Sequence, residues 1–215
     1  MSDVIAKWNG PIGYMSGRSG WRSEIWTYPS SNLPTVDSVS SEIGPFNRGI
    51  AKNCLNRMAM LFSPEEIGDS LGEKSALLSQ IGFFCVGVPG TLKDYEIWAA
   101  NTQIETLEGG WINTEKMIWE GSITPGRSKW FFFGPFSELS DKSFTWDGQS
   151  YLYLELRWKS PYSRINRGTH RKIISPTSDT QRIIFCKGVD PNSTCQSTGW
   201  EFGLTRPITA LKWKF

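Results

Sequence analysis

Residues 151–158 read Tyr151-Leu152-Tyr153-Leu154-Glu155-Leu156-Arg157-Trp158, and this stretch decides the fold. Its leucines alternate with larger aromatic or charged side chains, which is the two-residue period of a half-buried β-strand. Phe144 to Trp146 come before it and end at Asp147-Gly148, a dipeptide that tight hairpins favour. We therefore predict a strand over 151–158 that is entered through a hairpin or a turn of that type.

Several other stretches show strand character on the same grounds. They lie at 57–62, 77–88, 95–98, 116–120, 130–133, 181–186 and 208–215. Only residues 63–68 look helical, because Pro64 stands at a first helical position and two acids follow it. About eight short strands with long connections predict an all-β fold, a two-sheet antiparallel β-sandwich of the jelly-roll type with an extended N-terminal arm.

The arm is predicted over residues 1–42, and the sandwich domain over 43–215. Trp8, Trp21 and Trp26 are scattered in the arm among Gly, Ser, Asn and Pro without a sustained period. Large aromatic side chains outside a core usually bury against a partner. That partner is either the same domain or a neighbouring subunit, so these three tryptophans are candidate partner contacts.

Charge and hydropathy exclude several classes of protein. The net charge is +2, which indicates neither specific nucleic-acid binding nor a membrane surface. We expect no membrane insertion, because no apolar run approaches the ~20 residues of a spanning helix. The start shows no secretory signal, so we expect synthesis in a cytosol and reduced Cys54, Cys85, Cys186 and Cys195. A Cys186–Cys195 disulfide under oxidising conditions remains open.

Catalytic chemistry finds little support in the residues. His170, the single histidine, lies in a basic stretch without a nucleophile motif, and no zinc, phosphate-loop or dinucleotide pattern occurs. A glycosidase pair of carboxylates could form in space, although acids on strands usually face solvent. The available acids are Glu96, Glu120, Glu138, Asp141 and Glu155. We expect no enzyme, no catalytic residue, no cofactor and no metal.

The most asymmetric charge run lies between Arg157 and Lys172, which contains six basic residues and no acid. It is either a solvated loop or a loop that contacts an anionic glycan, an acidic subunit or phosphate. The loops at 99–115 and 159–180 are the natural places for contacts. Candidate anion or glycan contacts are Trp111, Tyr162, Arg164, Arg167, Arg171 and Lys172. We expect Trp158 to pack inward.

The order of the strand and turn motifs resembles a jelly-roll module of large bacterial surface proteins and of tailed-phage virion proteins. The motifs are Gly44-Pro45-Phe46-Asn47, Asn56 to Gly68, Leu78-Ser79-Gln80-Ile81-Gly82-Phe83, Pro89 to Trp98, Trp119-Glu120-Gly121, Trp130-Phe131-Phe132, Pro135-Phe136, Trp146 to Leu152 and Arg206-Pro207-Ile208. The resemblance covers about 43–215 and implies a structural or adhesive module with no catalytic motif.

We therefore expect a non-enzymatic structural or attachment component of a tailed-phage virion, as a capsid decoration, neck, baseplate or tail protein. Its expected partners are other virion proteins and a second copy of itself, through protein–protein contacts. It would be made in the host cytoplasm and located in the virion. The alternative is a carbohydrate-binding or adhesin module at a cell surface, for which a glycan is the partner.

Overall fold

A computed structural model describes residues 24–27, 40–41, 55–68, 71, 74–86, 91–114, 116–124, 129–136, 141–159, 172–174, 182–186, 200–203 and 209–215. Within these residues the chain forms thirteen β-strands and one short helix, α1 (Pro64–Gly68). The strands make two antiparallel sheets packed face to face, so the predicted all-β two-sheet sandwich is confirmed.

The first sheet has seven strands. They are β1 (Glu24–Thr27), β2 (Ser40–Ser41), β4 (Ala76–Val86), β7 (Lys129–Phe133), β8 (Thr145–Trp146), β10 (Lys172–Ile174) and β13 (Thr209–Lys214). Phe83 in β4 pairs with Thr209 on one edge and with Phe131 on the other. The main strand order is therefore β1–β13–β4–β7.

Six strands make the second sheet: β3 (Leu55–Phe62), β5 (Leu92–Thr102), β6 (Met117–Ile123), β9 (Tyr151–Lys159), β11 (Ile183–Cys186) and β12 (Trp200–Gly203). Their order is β12–β11–β3–β9–β5–β6. The predicted strand at 151–158 is therefore β9, which pairs with β3 on one side and β5 on the other.

The alternation in β9 separates a core face from an outer face. Leu152, Leu154, Leu156 and Trp158 are buried in the core between the sheets. Each such side chain stabilises the fold by about 1.5–3 kcal/mol when it is fully buried. The outer face carries Tyr151, Tyr153, Glu155 and Arg157, because successive side chains of a strand point to opposite faces. The expectation that Trp158 packs inward is confirmed.

Aromatic stacking joins the two sheets in the core. Tyr95 of β5 stacks on Trp158 at 5.6 Å between ring centroids and on Phe133 of β7 at 5.2 Å. Burial raises the pKa of the Tyr95 phenol well above its usual value, because the phenolate would lack water. The Tyr95 ring therefore contacts aromatic rings of both sheets.

The turn at Asp147-Gly148 does not close a hairpin, so the hairpin alternative of that prediction is wrong. The strand before it, β8, pairs with β4 in the first sheet, whereas β9 belongs to the second sheet. The Asp147 carboxylate accepts hydrogen bonds from the Gln149 and Ser150 N–H groups at 3.0 and 2.7 Å. Gly148, with φ at 87°, completes a turn that carries the chain between the sheets.

Two segments of the predicted arm belong to strands of the first sheet. Strand β1 pairs with β13, and β2 pairs with β10. Thr27 is 2% exposed, and its Oγ1 accepts a hydrogen bond from the Trp213 indole at 2.9 Å. Residues 24–27 thus contribute to the sandwich, while the boundary at residue 42 stays a prediction.

Candidate binding site

The outer face of the second sheet carries a row of charged residues. Strand pairing aligns Arg57 with Arg157, Arg157 with Glu96, and Glu96 with Glu120. Like charges directly opposite each other on neighbouring strands are destabilising unless a counter-charge intervenes. For the two arginines that counter-charge is Glu155, which lies one row further along β9.

Glu155 forms ion pairs with both arginines. Arg57 donates from Nε and Nη2 to the two carboxylate oxygens at 2.6 and 2.9 Å, and Arg157 donates from Nε to Oε1. The Glu155 side chain is fully buried, whereas the side chains of Arg57 and Arg157 are 11% and 26% exposed. The carboxylate is therefore below the surface, and the guanidinium groups reach it.

Tyr153 fills the remaining side of the carboxylate. Its hydroxyl donates to Glu155 Oε2 at 2.9 Å. Burial raises the pKa of this phenol far above its usual value, and the adjacent Glu155 carboxylate raises it further. Tyr153 consequently acts as a hydrogen-bond donor at every physiological pH, and Glu155 accepts four hydrogen bonds in all.

Two indole rings flank the ion pairs. The Arg57 guanidinium lies 4.0 Å from the centroid of Trp111, and that of Arg157 lies 4.5 Å from the centroid of Trp98. Trp98 is itself held by Glu96, whose Oε2 accepts from its Nε1 at 2.9 Å. Each guanidinium is therefore fixed by a carboxylate and an aromatic face. We call Arg57, Trp98, Trp111, Glu155 and Arg157 the arginine platform.

A second, smaller hydrophobic cluster holds Trp111 in place. It lies on the outer face and contains Leu107 and Ile112 of the loop that follows β5, packed with Ala59, Leu61, Tyr153 and Ile184. The loop thus covers one end of the outer face and places the Trp111 ring against the Arg57 guanidinium. Among the described residues, the buried Nε1 of Trp111 has no hydrogen-bond partner.

Of the predicted anion or glycan contacts, Trp111 is the one that the structure brings to this face. Tyr162, Arg164, Arg167 and Arg171 lie outside the described residues. Lys172 is in β10 of the first sheet, and its side chain lies outside the described part of the structure. Arg157, at the start of the basic run, belongs to the platform.

Of the arm tryptophans, Trp8 and Trp21 lie outside the described residues, and Trp26 contacts its own domain. The Trp26 ring packs edge-on against Phe132 at 5.2 Å on the outer face of the first sheet. Lys212 Nζ lies 5.6 Å from the Trp26 ring centroid. The two rings come from β1 and β7 and meet above Gly82 and Ala210 of the strands between them.

The acids considered for a glycosidase pair have separate surroundings. Glu96 and Glu120 are cross-strand neighbours, but Glu96 accepts from Trp98, and Glu120 pairs with Lys142 at 2.6 Å. Asp141 is exposed, and Glu138 lies outside the described residues. Glu155 is enclosed by hydrogen-bond donors. A carboxylate so enclosed is poorly placed to exchange a proton with a substrate.

Sequence reasoning missed Arg57, Trp98 and the central role of Glu155. The alternation over 151–158 already put Tyr153, Glu155 and Arg157 on one face. Bringing in Arg57 and Trp98 requires the pairing register of β3 and β5 with β9, which the sequence does not reveal.

The expectation of reduced cysteines is wrong for Cys186, which is disulfide-bonded. Cys186 is the last residue of β11 and pairs with Trp200 of β12. Cys195 lies between these two strands in the chain. Its side chain is outside the described residues, so the Cys186–Cys195 pairing stays a prediction.

Two structural features are absent from the described residues. These residues contain no helix long and apolar enough to cross a membrane. They also contain no group of three or more His, Cys, Asp or Glu side chains arranged to hold a metal ion.

Comparison with known proteins gives no relative for this chain. No protein-family model, no curated protein and no solved structure matches it.

Proposed function

We propose that this chain is a non-enzymatic structural or attachment component of a tailed-phage virion, which binds a partner surface through the outer face of its second sheet. The observation that carries the binding role is the arginine platform. It is a recognition surface built on a strand between two others, with its charged groups held in one arrangement before any partner arrives.

Preorganisation is the main argument for binding. A flexible arginine loses side-chain entropy when a partner orders it, at a cost of about 0.5–1.5 kcal/mol per side chain. Arg57 and Arg157 are already ordered by Glu155 and by the indoles. Arginine and tryptophan are also enriched among the residues that dominate binding energy at interfaces.

The strand connectivity supports the jelly-roll module that we infer. When the short or peripheral strands β2, β8, β10, β11 and β12 are set aside, eight strands remain, four in each sheet. Their orders are β1–β13–β4–β7 and β3–β9–β5–β6. The chain crosses repeatedly between the sheets, as in an eight-stranded jelly roll made of two Greek keys. Such a fold serves many functions, so the virion assignment rests on the sequence resemblance.

A non-enzymatic role agrees with the chemistry of the platform. Its central carboxylate is paired with two guanidinium groups, accepts a hydrogen bond from a phenol and lies below the surface. A general acid or base must instead reach the proton that it transfers.

The first test is mass spectrometry of density-purified particles from the source, with the copy number measured against the major capsid protein. We expect a fixed stoichiometry that matches a symmetry of the particle. Absence from purified particles would contradict the virion role. Particles can also be assembled with a variant in place of the wild-type protein. They should incorporate less of the Trp98→Ala variant than of the Trp130→Ala variant, which changes the other sheet.

A carbohydrate-binding module at a cell surface is the second candidate, and the two flanking indoles favour it. Trp98 and Trp111 are half-buried beside the charged row of this face, an arrangement that suits the apolar face of a sugar ring. A glycan array with the full chain should show binding that Trp98→Ala weakens. An array without binding at high protein concentration would remove this candidate.

A further inference from the structure

The guanidinium of Arg157 has two edges. One donates a hydrogen bond within the protein, and the other, which we call the open edge, donates none to a described residue. Its Nε donates to Glu155, and its guanidinium lies over Trp98. Its two terminal amino groups make no hydrogen bond with any described residue, and a quarter of the side chain is exposed. The open edge is the part of arginine that binds a carboxylate with two parallel hydrogen bonds.

The surroundings keep that edge open. Glu96 is the cross-strand neighbour of Arg157, but its carboxylate accepts from Trp98 and forms no ion pair with Arg157. Glu155 accepts a hydrogen bond only from Nε of Arg157. Arg57 and Arg157 share the one buried carboxylate of Glu155, so the terminal amino groups of Arg157 can still donate to a further anion.

The rest of the row offers acceptors instead of donors. Glu96 and Glu120 follow Arg157 on the next two strands of the same face. Because neighbouring strands lie about 4.8 Å apart, Glu120 stands roughly 10 Å from Arg157. A ligand that extends across the strands would therefore meet first a cationic donor edge and then two carboxylate acceptors.

We propose that the terminal amino groups of Arg157 bind the carboxylate of an acidic, uronic-acid-containing glycan, whose hydroxyl groups reach Glu96 and Glu120. The indoles of Trp98 and Trp111 border this site. The inference rests on the proposed binding role of this face and adds the class of ligand. A glycan fits better than an acidic peptide, because Glu96 and Glu120 would repel further acidic side chains but accept hydroxyl hydrogens.

The test is calorimetric titration of the full chain with an aldotriouronic acid, which carries one carboxylate, and with xylotriose, which carries none. We expect the acid to bind at least about tenfold more tightly, since a hydrogen bond to a charged group gives roughly this factor. Arg157→Lys keeps the charge but cannot form two parallel hydrogen bonds with one carboxylate, so it should lose most of the preference for the acid. Binding of the neutral trisaccharide should remain.

The matched control is Lys159→Gln. Lys159 lies on the same face of the same strand and pairs with Asp94 at the surface, 2.9 Å away. Its removal changes the net charge without touching the open edge of Arg157, so the preference should persist. Urea unfolding of both variants checks that each is folded.

Three outcomes would overturn the inference. Equal binding of the two trisaccharides would refute the anion site while leaving the binding face in place. A preference that persists in Arg157→Lys but is lost in Lys159→Gln would reduce the effect to unspecific charge. Binding of neither trisaccharide, together with reduced particle incorporation of Arg157→Lys, would assign the edge to a carboxylate of a virion protein.

Discussion

At the scale of single residues, Glu155 holds the platform together. Removing one partner of a buried ion pair leaves the other charges uncompensated, which typically costs about 3–5 kcal/mol. In Glu155→Gln the new amide NH₂ would also face N–H donors of Arg57 and Arg157. We expect the free energy of unfolding to fall by about 3 kcal/mol, measured by urea denaturation.

Glu120→Gln is the control for that substitution. Glu120 is paired with Lys142, and both side chains are substantially exposed. Exposed ion pairs contribute about 0–1 kcal/mol, so this variant should unfold near the wild-type midpoint. Similar losses in the two variants would show that Glu155 is no more than a surface charge.

Gly134 is a second residue whose identity the fold requires. Its φ is 109°, and a Cβ built on it would lie 2.6 Å from the Ser79 carbonyl oxygen. That carbonyl cannot move away freely, because it accepts from the Phe136 N–H at 2.8 Å. Strained backbone of this kind costs about 1–3 kcal/mol before the clash is counted. Gly134→Ala should therefore lower the free energy of unfolding by at least about 2 kcal/mol.

Gly109→Ala is the control, because it makes the same substitution at a position where the new Cβ meets no clash. A Cβ at Gly109 has no atom within 4 Å, so its effect should stay within about 0.5 kcal/mol. The comparison is made by urea denaturation of the two variants side by side. If Gly134→Ala were as stable as Gly109→Ala, the close approach to Ser79 would be wrong.

At the scale of elements, an ion-pair cluster joins β1 to β13. The hydrogen bond from Lys212 lowers the pKa of Glu24, burial partly opposes this, and the charges of Lys212 and Lys214 lower it further. Glu24 lies 2.6 Å from Lys212 Nζ and 3.5 Å from Lys214 Nζ. Its folded-state pKa is below the ordinary 4.5, so its contribution to stability is present above about pH 4.5 and is lost as the pH falls through the folded value.

The expected pH dependence of stability follows from the lowered pKa of Glu24. Stability should decline below about pH 4.5, and the decline should be smaller in Glu24→Gln, which has nothing to protonate at this position. Urea midpoints at pH 7 and pH 3 measure it for both proteins. An equal decline in the two would show that Glu24 is not linked to folding.

The aromatic contact across the first sheet depends on a small residue in β4. A Cβ on Gly82 would lie 2.4 Å from Phe132 Cε1, so Gly82→Ala must displace the ring that meets Trp26. Overpacking of this kind costs about 1–3 kcal/mol. Urea unfolding of Gly82→Ala, Trp26→Ala and the double variant should show a smaller effect of Gly82→Ala once Trp26 is absent. Strict additivity would mean that the two sites are independent.

At the scale of the whole molecule, the sequence predicted what local patterns determine. The alternation of Leu152, Leu154 and Leu156 identified β9 and its core face, and Pro64 with its acids identified α1. The four residues of β1 were missed, because their pairing partners lie near the other end of the chain. Arg57 and Glu155 are 98 positions apart, so their contact depends on sheet register. Trp111 was predicted as a contact residue, but its stacking on Arg57 was not.

The last prediction concerns the N-terminal segment. It compares two truncated proteins, one without residues 1–42 and one without residues 1–23. Without β1, strand β13 becomes a sheet edge, and the buried Trp213 N–H loses Thr27 at a cost of about 1–3 kcal/mol. Exposed strand edges also favour association. The 1–42 truncation should therefore unfold at lower urea and self-associate on size exclusion, whereas the 1–23 truncation keeps β1 and should do neither. A 1–42 truncation as stable as the full chain would mean that β1 does not stabilise the sandwich, and Trp26 would then be available to a neighbouring subunit.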